Sequence, residues 1–245
     1  MSPSGFDARE KVGVNFSRLF GNAEWVAHPS VILNAGAMFE HNNISGDSVS
    51  PRLMVNWHAS DNQVVRAGVS TAFRPPSAYE KFALVRYYDI HGENPTPPFV
   101  QVSGRVGAEK VLAQELGYHF HRPHFTADVR LFRERITDGV WCNPEAPTDC
   151  INKDDFTTDG LEYQVTWRPT AATQVFWNQT WGNSYGLDYK LTNLPLDKHW
   201  FRVIHAMPEF ASAVSVMHTL ASGLNLSVMY SRSKGGALMS NPETG

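Results

Sequence analysis

The 245-residue chain combines few charges with many aromatic residues, and this composition restricts the classes of protein to which it can belong. Charged residues make up 18% and the formal net charge is −3, with no cluster of Lys and Arg that could neutralise phosphates, so a nucleic-acid partner is not expected. No segment approaches roughly eighteen consecutive apolar residues, which excludes a membrane-spanning helix.

Alternation of apolar and polar residues predicts β-strands along most of the chain, and no segment predicts a helix. Two long segments without this alternation, Pro75–Gly107 and Tyr185–Met207, are predicted to be loops. About ten strands result. They are Val12–Trp25, Val31–His41, Pro51–His58, Val64–Arg74, a strand ending at His121, Thr126–Ile136, two strands within Asp159–Ser184, Phe210–Leu220 and Leu224–Arg232.

The two faces of the predicted strands differ most clearly in the hairpin Asp159–Ser184. One face of this hairpin is polar and carries Glu162, Gln164 and Asn178. These side chains would be buried without obvious partners if they lined a soluble core. If the apolar face contacts lipid and the polar face contacts a water-filled lumen, each face has a suitable environment. The pattern therefore favours the wall of a transmembrane β-barrel. The apolar face carries Leu161, Tyr163, Val165, Trp167, Val175, Trp177 and Trp181.

Two regularities along the chain are also typical of outer-membrane barrels. Connections near His28, Asp61, Pro123, Thr170 and Ser222 are tight, whereas those that begin near Asn42, Pro75, Gly139, Tyr185 and Gly235 are mostly longer. Four aromatic residues lie on the apolar face a few positions before a tight turn, which predicts a girdle at one membrane interface. These residues are Trp25, Trp57, Phe120 and Trp167.

The chain has two cysteines, Cys142 and Cys150, in a segment rich in Pro, Asn and Asp. Their short separation predicts a local disulfide that closes a loop in an oxidising compartment. Two unrelated free thiols are the alternative, and a metal pair lacks further ligands nearby.

Several segments resemble the barrel of TonB-dependent outer-membrane receptors. In that family a strand that ends in a Phe-Arg-x-Pro-Ser type motif opens into a large external loop, and Phe73-Arg74-Pro75-Pro76-Ser77 within Ser50–Phe82 matches it. Further segments resemble the same family in the same order. They are Leu33–His41, Ala113–Phe120, Ala127–Val140 and Thr158–Pro169.

The resemblance implies an all-β fold, in which residues 1–245 form about ten antiparallel strands of a transmembrane β-barrel. This would be an incomplete portion of a barrel of about 22 strands, in the outer membrane of a Gram-negative bacterium. Met1–Lys11 shows no signal peptide, and the last residues are loop-like and do not form a closing aromatic strand. We therefore expect a C-terminal barrel portion that lacks the plug domain and the closing strand.

The resemblance also implies active uptake of a scarce ligand, usually a ferric siderophore or a similar metal chelate. The partners would be outer-membrane lipid and the TonB energy-coupling complex, reached through the missing N-terminal part. Aromatic rings stack on planar chelates and guanidinium groups pair with anionic complexes, which suggests candidate ligand-binding residues at the outer mouth. These candidates are Arg74, Tyr79, Phe82, Arg86, Tyr87, Tyr88 and Trp141.

No pattern in the sequence predicts a cofactor, a metal site or an enzyme. His119, His121 and His124 lie beside a tight turn without an argued carboxylate or thiol partner. Asp154-Asp155 with His91 could form an acid/base pair, but nothing enforces its geometry. Two other interpretations remain open. One is a self-contained ten-stranded outer-membrane pore or adhesin, and the other is a soluble β-sandwich that binds a ligand.

Overall fold

A computed structural model describes residues 13–85, 97–98, 100–142, 149–186 and 208–235. Nearly all of the described residues are in strands, and one short helix follows the fourth strand. The elements are β1 (Phe16–His28), β2 (Val31–Asn42), β3 (Gly46–Ser60), β4 (Gln63–Arg74), α1 (Ala78–Phe82), β5 (Leu84–Val85), β6 (Val100–Gln101), β7 (Glu109–Arg122), β8 (Phe125–Cys142), β9 (Cys150–Thr170), β10 (Thr173–Gly186), β11 (Pro208–Thr219) and β12 (Asn225–Gly235).

Ten of the strands form one antiparallel sheet, in the order β1-β2-β3-β4-β7-β8-β9-β10-β11-β12. Each strand of this sheet is hydrogen-bonded to the next one along the chain, apart from β5 and β6, which pair with each other between β4 and β7. The predicted all-β antiparallel fold is therefore confirmed. The described residues contain no helix that is long and apolar enough to cross a membrane.

The structure corrects the prediction that the chain has no helix. The helix α1 is a single turn that is fixed by hydrogen bonds at its ends, so it shows no apolar periodicity that a sequence pattern could detect. The long strands also extend further than predicted. Thus β9 begins at Cys150, well before the expected start near Asp159, because its first residues continue the ladder with β8 without an apolar face.

One face of the sheet carries apolar residues in a row that crosses nine of its ten strands, from β1 to β11. Residues directly opposite each other on neighbouring strands share a face. The pairing connects one row of nine apolar residues across the sheet, and we call the face that contains this row the apolar face. The row is Trp25, Leu33, Val55, Ala67, Leu116, Leu131, Leu161, Trp181 and Phe210.

Much of the apolar face is open, since Trp25 is 65% exposed and Trp167 is 48% exposed. Few apolar residues are buried, and within the part of the chain that the structure describes no second sheet of comparable size covers the apolar face. A soluble β-sandwich needs two packed sheets around a core, so the structure does not support that interpretation. An exposed apolar surface of this breadth fits contact with lipid.

Gln179 is an exception on the apolar face that the sequence analysis did not single out. It lies between Trp177 and Trp181 on β10, opposite Tyr163 of β9, and is only 8% exposed. The Tyr163 hydroxyl donates to Gln179 Oε1 at 2.8 Å. The ring of Tyr163 stacks edge-on against Trp177 with centroids 5.0 Å apart. The amide is thus shielded by rings and has a hydrogen-bond partner, which lowers the cost of placing it on an apolar surface.

The opposite face carries ion pairs that run across several strands, and we call it the polar face. Arg66 Nη2 of β4 lies 2.9 Å from Asp128 Oδ1 of β8, although β7 lies between these two strands. Gly117 of β7 makes this reach possible, because a Cβ at that position would collide with the Arg66 side chain. Arg130 of β8 continues the series by pairing with Glu162 Oε2 at 2.9 Å.

The four predicted girdle residues lie on the apolar face near the tight turns. Trp25 is opposite Leu33, Trp57 is opposite Val31, Phe120 is opposite Gln63, and Trp167 is opposite Phe125. The ring of Phe120 also lies 6.1 Å from the ring of Phe125. That these rings mark a membrane interface stays a prediction.

The sheet has two free ends, since β1 and β12 each pair with one neighbour only among the described residues. A self-contained ten-stranded barrel would need these two strands to pair with each other. That interpretation is therefore not supported, because the ten strands form an open sheet among the described residues.

We expect the chain to aggregate, or to fail to insert, when it is exported alone to the outer membrane, because it exposes two strand edges and a lipid face. The measurement is urea extraction of membranes, together with the change in gel mobility on heating that folded barrels show. A complete outer-membrane barrel expressed in parallel is the control. A urea-resistant product with heat-dependent mobility would contradict the open-sheet structure.

Candidate functional site

The helix α1 begins immediately after the Phe-Arg-Pro-Pro-Ser motif. Ser77 caps the helix, because its Oγ accepts a hydrogen bond from Glu80 N at 3.2 Å and its own backbone N donates to Glu80 Oε2 at 2.6 Å. This reciprocal pair is a capping box. Pro75 and Pro76 disfavour a helical conformation in the residues before Ser77, so the helix cannot begin earlier. The spacing of Ser77 and Glu80 was a readable signal for α1 that the sequence analysis missed.

Two of the predicted ligand-binding residues lie on this helical turn. Tyr79 and Phe82 are three positions apart, which places them on the same side of α1. Tyr79 is 53% exposed and Phe82 is 47% exposed. The capping hydrogen bonds fix the backbone that carries both rings, so α1 presents two aromatic side chains to solvent from a defined position.

Arg74 joins α1 to the sheet. Its Nη1 and Nη2 lie 3.1 Å and 3.2 Å from the two carboxylate oxygens of Glu80, and its Nε donates to Glu109 Oε2. Arg74 is opposite Glu109 in the pairing of β4 with β7. The guanidinium that the sequence suggested for ligand binding therefore bridges two carboxylates, and a contact between Arg74 and a ligand stays a prediction.

The environment of Glu80 favours its charged form. Partial burial opposes ionisation, but hydrogen bonds from Arg74 and the Ser77 backbone, together with the Arg74 charge, lower the pKa of the Glu80 carboxyl below its ordinary value of 4.5. The ion pair between Arg74 and Glu80 is thus fully formed near neutral pH.

Glu109 contacts a third element through its second oxygen. The backbone N of Val140, in β8, donates to Glu109 Oε1 at 2.6 Å. The sequence analysis did not identify Glu109, and no local pattern could have found it, because its partners are remote in the sequence. Its carboxylate connects α1, through Arg74, with the end of β8 that is farthest from the tight turns. We call this end of the strands the outer end.

The outer part of the β8–β9 hairpin is bent by a β-bulge at Asp138 and Gly139. The register shifts on both sides of Gly139, and Asp138 has a positive φ of 57°. Asp138 N donates to Asp155 Oδ1 at 2.9 Å, which stabilises this conformation. A side chain at Gly139 would collide with the backbone oxygen of Asp154, so the bulge requires a glycine there.

The segment that precedes β7 packs between α1 and this hairpin. Lys81 Nζ of α1 donates to Val106 O at 2.9 Å, and the Asn152 side chain of β9 exchanges two hydrogen bonds with Gly107. Val100 and Val106 are almost fully buried. The described parts of the loop after β4 therefore form an ordered layer on the outer end of the sheet.

The structure joins Cys142 and Cys150 by a disulfide at the outer end of the hairpin. The two residues are directly opposite each other on β8 and β9, and their Cα atoms are 4.0 Å apart. Asp149 adds a further connection, because its Oδ1 accepts a hydrogen bond from Ser103 N at 2.7 Å. The disulfide thus closes the hairpin next to the place where the segment before β7 contacts it through Ser103.

Of the remaining candidate ligand-binding residues, the structure describes Trp141 only. Trp141 is partly buried, next to Val140 in the chain, and Lys153 Nζ lies 4.6 Å from the centroid of its ring. Arg86, Tyr87 and Tyr88 lie outside the described residues.

The histidines beside the tight turn contact neighbouring side chains. His119 Nδ1 lies 3.3 Å from Asp128 Oδ2, and His121 Nδ1 lies 3.0 Å from Thr126 Oγ1. The described part of the chain contains no group of three or more His, Cys, Asp or Glu side chains that could hold a metal ion.

Comparison with known proteins identifies the family. Residues 2–208 match the family described as TonB dependent receptor-like, beta-barrel. The chain belongs to this family. The resemblance seen in the sequence motifs is thus confirmed, and the family is one of receptors, not of enzymes.

Two curated relatives are similar over nearly half of the chain. The ferrienterobactin receptor of Escherichia coli is 26% identical over 118 residues, which are 47% of this chain and 16% of that protein. The ferric enterobactin receptor of Pseudomonas aeruginosa is 24% identical over 109 residues, 43% of this chain and 14% of that protein. The matched part is thus about a sixth of the first relative's length and about a seventh of the second's.

Solved structures of TonB-dependent receptors share the fold. The ferric enterobactin receptor PfeA from Pseudomonas aeruginosa superimposes with a TM-score of 0.71 at 18% identity, covering 90% of this chain and 32% of PfeA. The siderophore receptor PirA from the same organism gives a TM-score of 0.69 at 15% identity, covering 91% of this chain and 41% of PirA. The open sheet therefore corresponds to part of a larger receptor barrel.

We expect loss of the disulfide to loosen the outer end of the hairpin and not the rest of the sheet. The bond closes a loop with a sequence separation of 8 residues. Loop-closure entropy for a loop of this size corresponds to about 2.5 kcal/mol. Replacing both Cys142 and Cys150 by Ser should lower the local free energy of opening by up to that amount. Hydrogen exchange of a receptor that contains this chain measures the effect.

Wild-type receptor treated with a reductant is the matched control for the serine variant, and both should exchange faster near Cys142 only. Unchanged exchange there, or a uniform increase across all strands, would contradict a local role of the disulfide.

We expect the attachment of α1 to weaken in acid. Since the pKa of Glu80 is lower in the folded state, its contribution is complete above pH 4.5 and is lost as the pH falls through the lowered value. Hydrogen exchange of the α1 amides, corrected for the intrinsic pH dependence of exchange, should rise in that range. A Glu80→Gln variant is the control, since it keeps an oxygen for Ser77 N but cannot titrate. If exchange of the α1 amides depended on pH in the same way in the wild type and in the Glu80→Gln variant, ionisation of Glu80 would not contribute to the attachment of α1.

Proposed function

We propose that residues 1–245 are part of the β-barrel of an outer-membrane receptor that takes up a ferric siderophore, or a similar scarce metal chelate, by TonB-coupled transport. The family membership supports this proposal, as do the relatives, which are receptors for ferric enterobactin. The matched segments make up a small share of those relatives. The rest of the barrel, the plug domain and the contact with the TonB complex would belong to other parts of the parent protein.

The apolar face supports a location in the outer membrane of a Gram-negative bacterium. Its exposed rows of Leu, Val and Trp would be costly in water and are satisfied by lipid. Each of the eight inner strands is hydrogen-bonded to a neighbour on both sides, which suits a hydrocarbon environment. The polar face, with its ion pairs, would then line the lumen of the complete barrel.

The observation that carries the proposed ligand contact is the exposed pair Tyr79 and Phe82 on a capped helical turn. A ferric catecholate offers aromatic rings and negative charge. Two rings that are already held in place can stack on such a ligand at a low cost in conformational entropy. Lys153, beside the ring of Trp141, supplies a cation at the same end of the sheet. Arg86, Tyr87 and Tyr88 remain candidate contacts from the adjoining loop.

The proposal is tested with the full-length parent receptor in a host that lacks its own ferric siderophore receptors. Growth on ferric enterobactin as the sole iron source should depend on the parent receptor. Replacing Tyr79 and Phe82 together by Ala should weaken binding of ferric enterobactin about tenfold or more, as expected for the loss of two stacked rings.

A Trp25→Ala variant is the control, because Trp25 lies on the apolar face at the opposite end of its strand from the proposed mouth. Its affinity for the chelate should equal that of the wild type. Uptake of no ferric chelate by the parent receptor, or equal affinity in the Tyr79 and Phe82 double variant, would overturn the corresponding part of the proposal.

A further inference from the structure

We propose that Glu109 is a positioning residue that holds α1 and the β8–β9 hairpin in one fixed arrangement at the ligand-binding mouth. This inference rests on the proposed function and adds to it a residue that need not touch the ligand. We call the group formed by Arg74, Glu80, Glu109 and the backbone N of Val140 the outer latch.

The two oxygens of Glu109 bind partners from different elements. Oε2 accepts a hydrogen bond from Arg74 Nε, and Oε1 accepts one from Val140 N at 2.6 Å. The other two nitrogens of Arg74 reach Glu80 Oε2 and Oε1 at 3.1 Å and 3.2 Å. Hydrogen bonds therefore run without interruption from α1, through β4 and β7, to β8.

Partial burial makes the outer latch stronger than an ordinary surface ion pair. The side chains of Glu80 and Glu109 are 18% and 20% exposed, and Arg74 is 48% exposed. Charge-assisted hydrogen bonds with a forked guanidinium geometry are stronger and more directional than neutral ones. Two shielded carboxylates around one guanidinium restrict the orientation of α1 relative to the sheet.

The neighbouring contacts are not equivalent to the outer latch. Lys81 and Asn152 bind backbone atoms of the segment between them, Val106 O and Gly107, and so hold that segment in place. Among the contacts described for α1, the outer latch is the one that connects a side chain of the helix to the end of β8. Without Glu109, α1 keeps only the indirect connection to the hairpin that runs through the segment before β7, and the direct hydrogen-bonded connection to the end of β8 is lost.

The position demands a carboxylate. A Gln at residue 109 has one acceptor oxygen, and its amide NH₂ would face either the Arg74 guanidinium or the Val140 N–H, both of which are donors. Either orientation loses one connection. The change Glu109→Gln therefore separates α1 from β8 with almost no change in side-chain volume.

The consequence for binding follows from preorganisation. Tyr79 lies on α1 and Trp141 follows Val140 in β8, so the outer latch sets the positions of the two elements that carry these candidate contacts. A ligand that touches both elements binds more tightly when their relative position is fixed before it arrives. Loss of the latch should weaken binding without removing any contact to the ligand.

The test uses the full-length parent receptor and its Glu109→Gln variant. Without ligand, hydrogen exchange should increase in α1 and around Val140 in the variant, and remain unchanged in the distant strands. Binding of ferric enterobactin should weaken about tenfold. The effect of Tyr79→Ala on affinity should be smaller in the Glu109→Gln background than in the wild type, because the two residues act through the same element.

Glu134→Gln is the matched control, since it makes the same chemical change at a carboxylate of β8 outside the outer latch. It should alter neither local exchange nor affinity. Arg74→Lys is a second variant in case Glu109→Gln does not fold. This variant keeps the positive charge but loses the forked guanidinium group. It should therefore increase hydrogen exchange in α1 and around Val140.

The outcomes separate the positioning role from the proposed function. Unchanged exchange in both segments, or fully additive effects of Glu109→Gln and Tyr79→Ala on affinity, would overturn the role of Glu109. If the wild-type receptor binds no ferric chelate, the proposed function fails, and with it the role of Glu109 in binding. The exchange measured without ligand then still decides whether the outer latch couples the two segments.

Discussion

The structure depends on a continuous ladder of backbone hydrogen bonds that separates an apolar surface from a polar one. Side chains on a strand alternate between the two faces, so a single register error in one strand would move its apolar residues to the wrong side. The row from Trp25 to Phe210 keeps its face through the pairings of nine strands, from β1 to β11. Most other features of the molecule, including the ion pairs of the polar face, follow from this register.

The fold could largely be predicted from the sequence, because apolar and polar residues alternate strictly where one face of a strand is apolar and the other is polar. Each predicted strand corresponds to a strand of the sheet. The prediction was weakest at the outer ends, as in the first residues of β9, where both faces are polar and the ladder alone defines the strand. Gln179 also breaks the alternation, and only the pairing with Tyr163 explains how the sheet accommodates it.

The candidate site was much less predictable than the fold. Tyr79 and Phe82 were found as aromatic residues in a loop, but the helical turn that presents them depends on the spacing of Ser77 and Glu80. Glu109 was not found, since its contacts with Arg74 and Val140 join residues that are 35 and 31 positions apart in the sequence. Such contacts depend on the register between β4, β7 and β8, which no local pattern specifies.

The glycines of the polar face have a consequence for the inside of a complete barrel. Arg66 lies flat across Gly117, and Phe132 extends over Gly160, where a Cβ would collide with its ring. Long side chains that lie along the wall do not project toward the centre of the bore. A larger residue at Gly117 or Gly160 would force the side chain of Arg66 or Phe132 away from the sheet, into the space that a complete barrel would enclose.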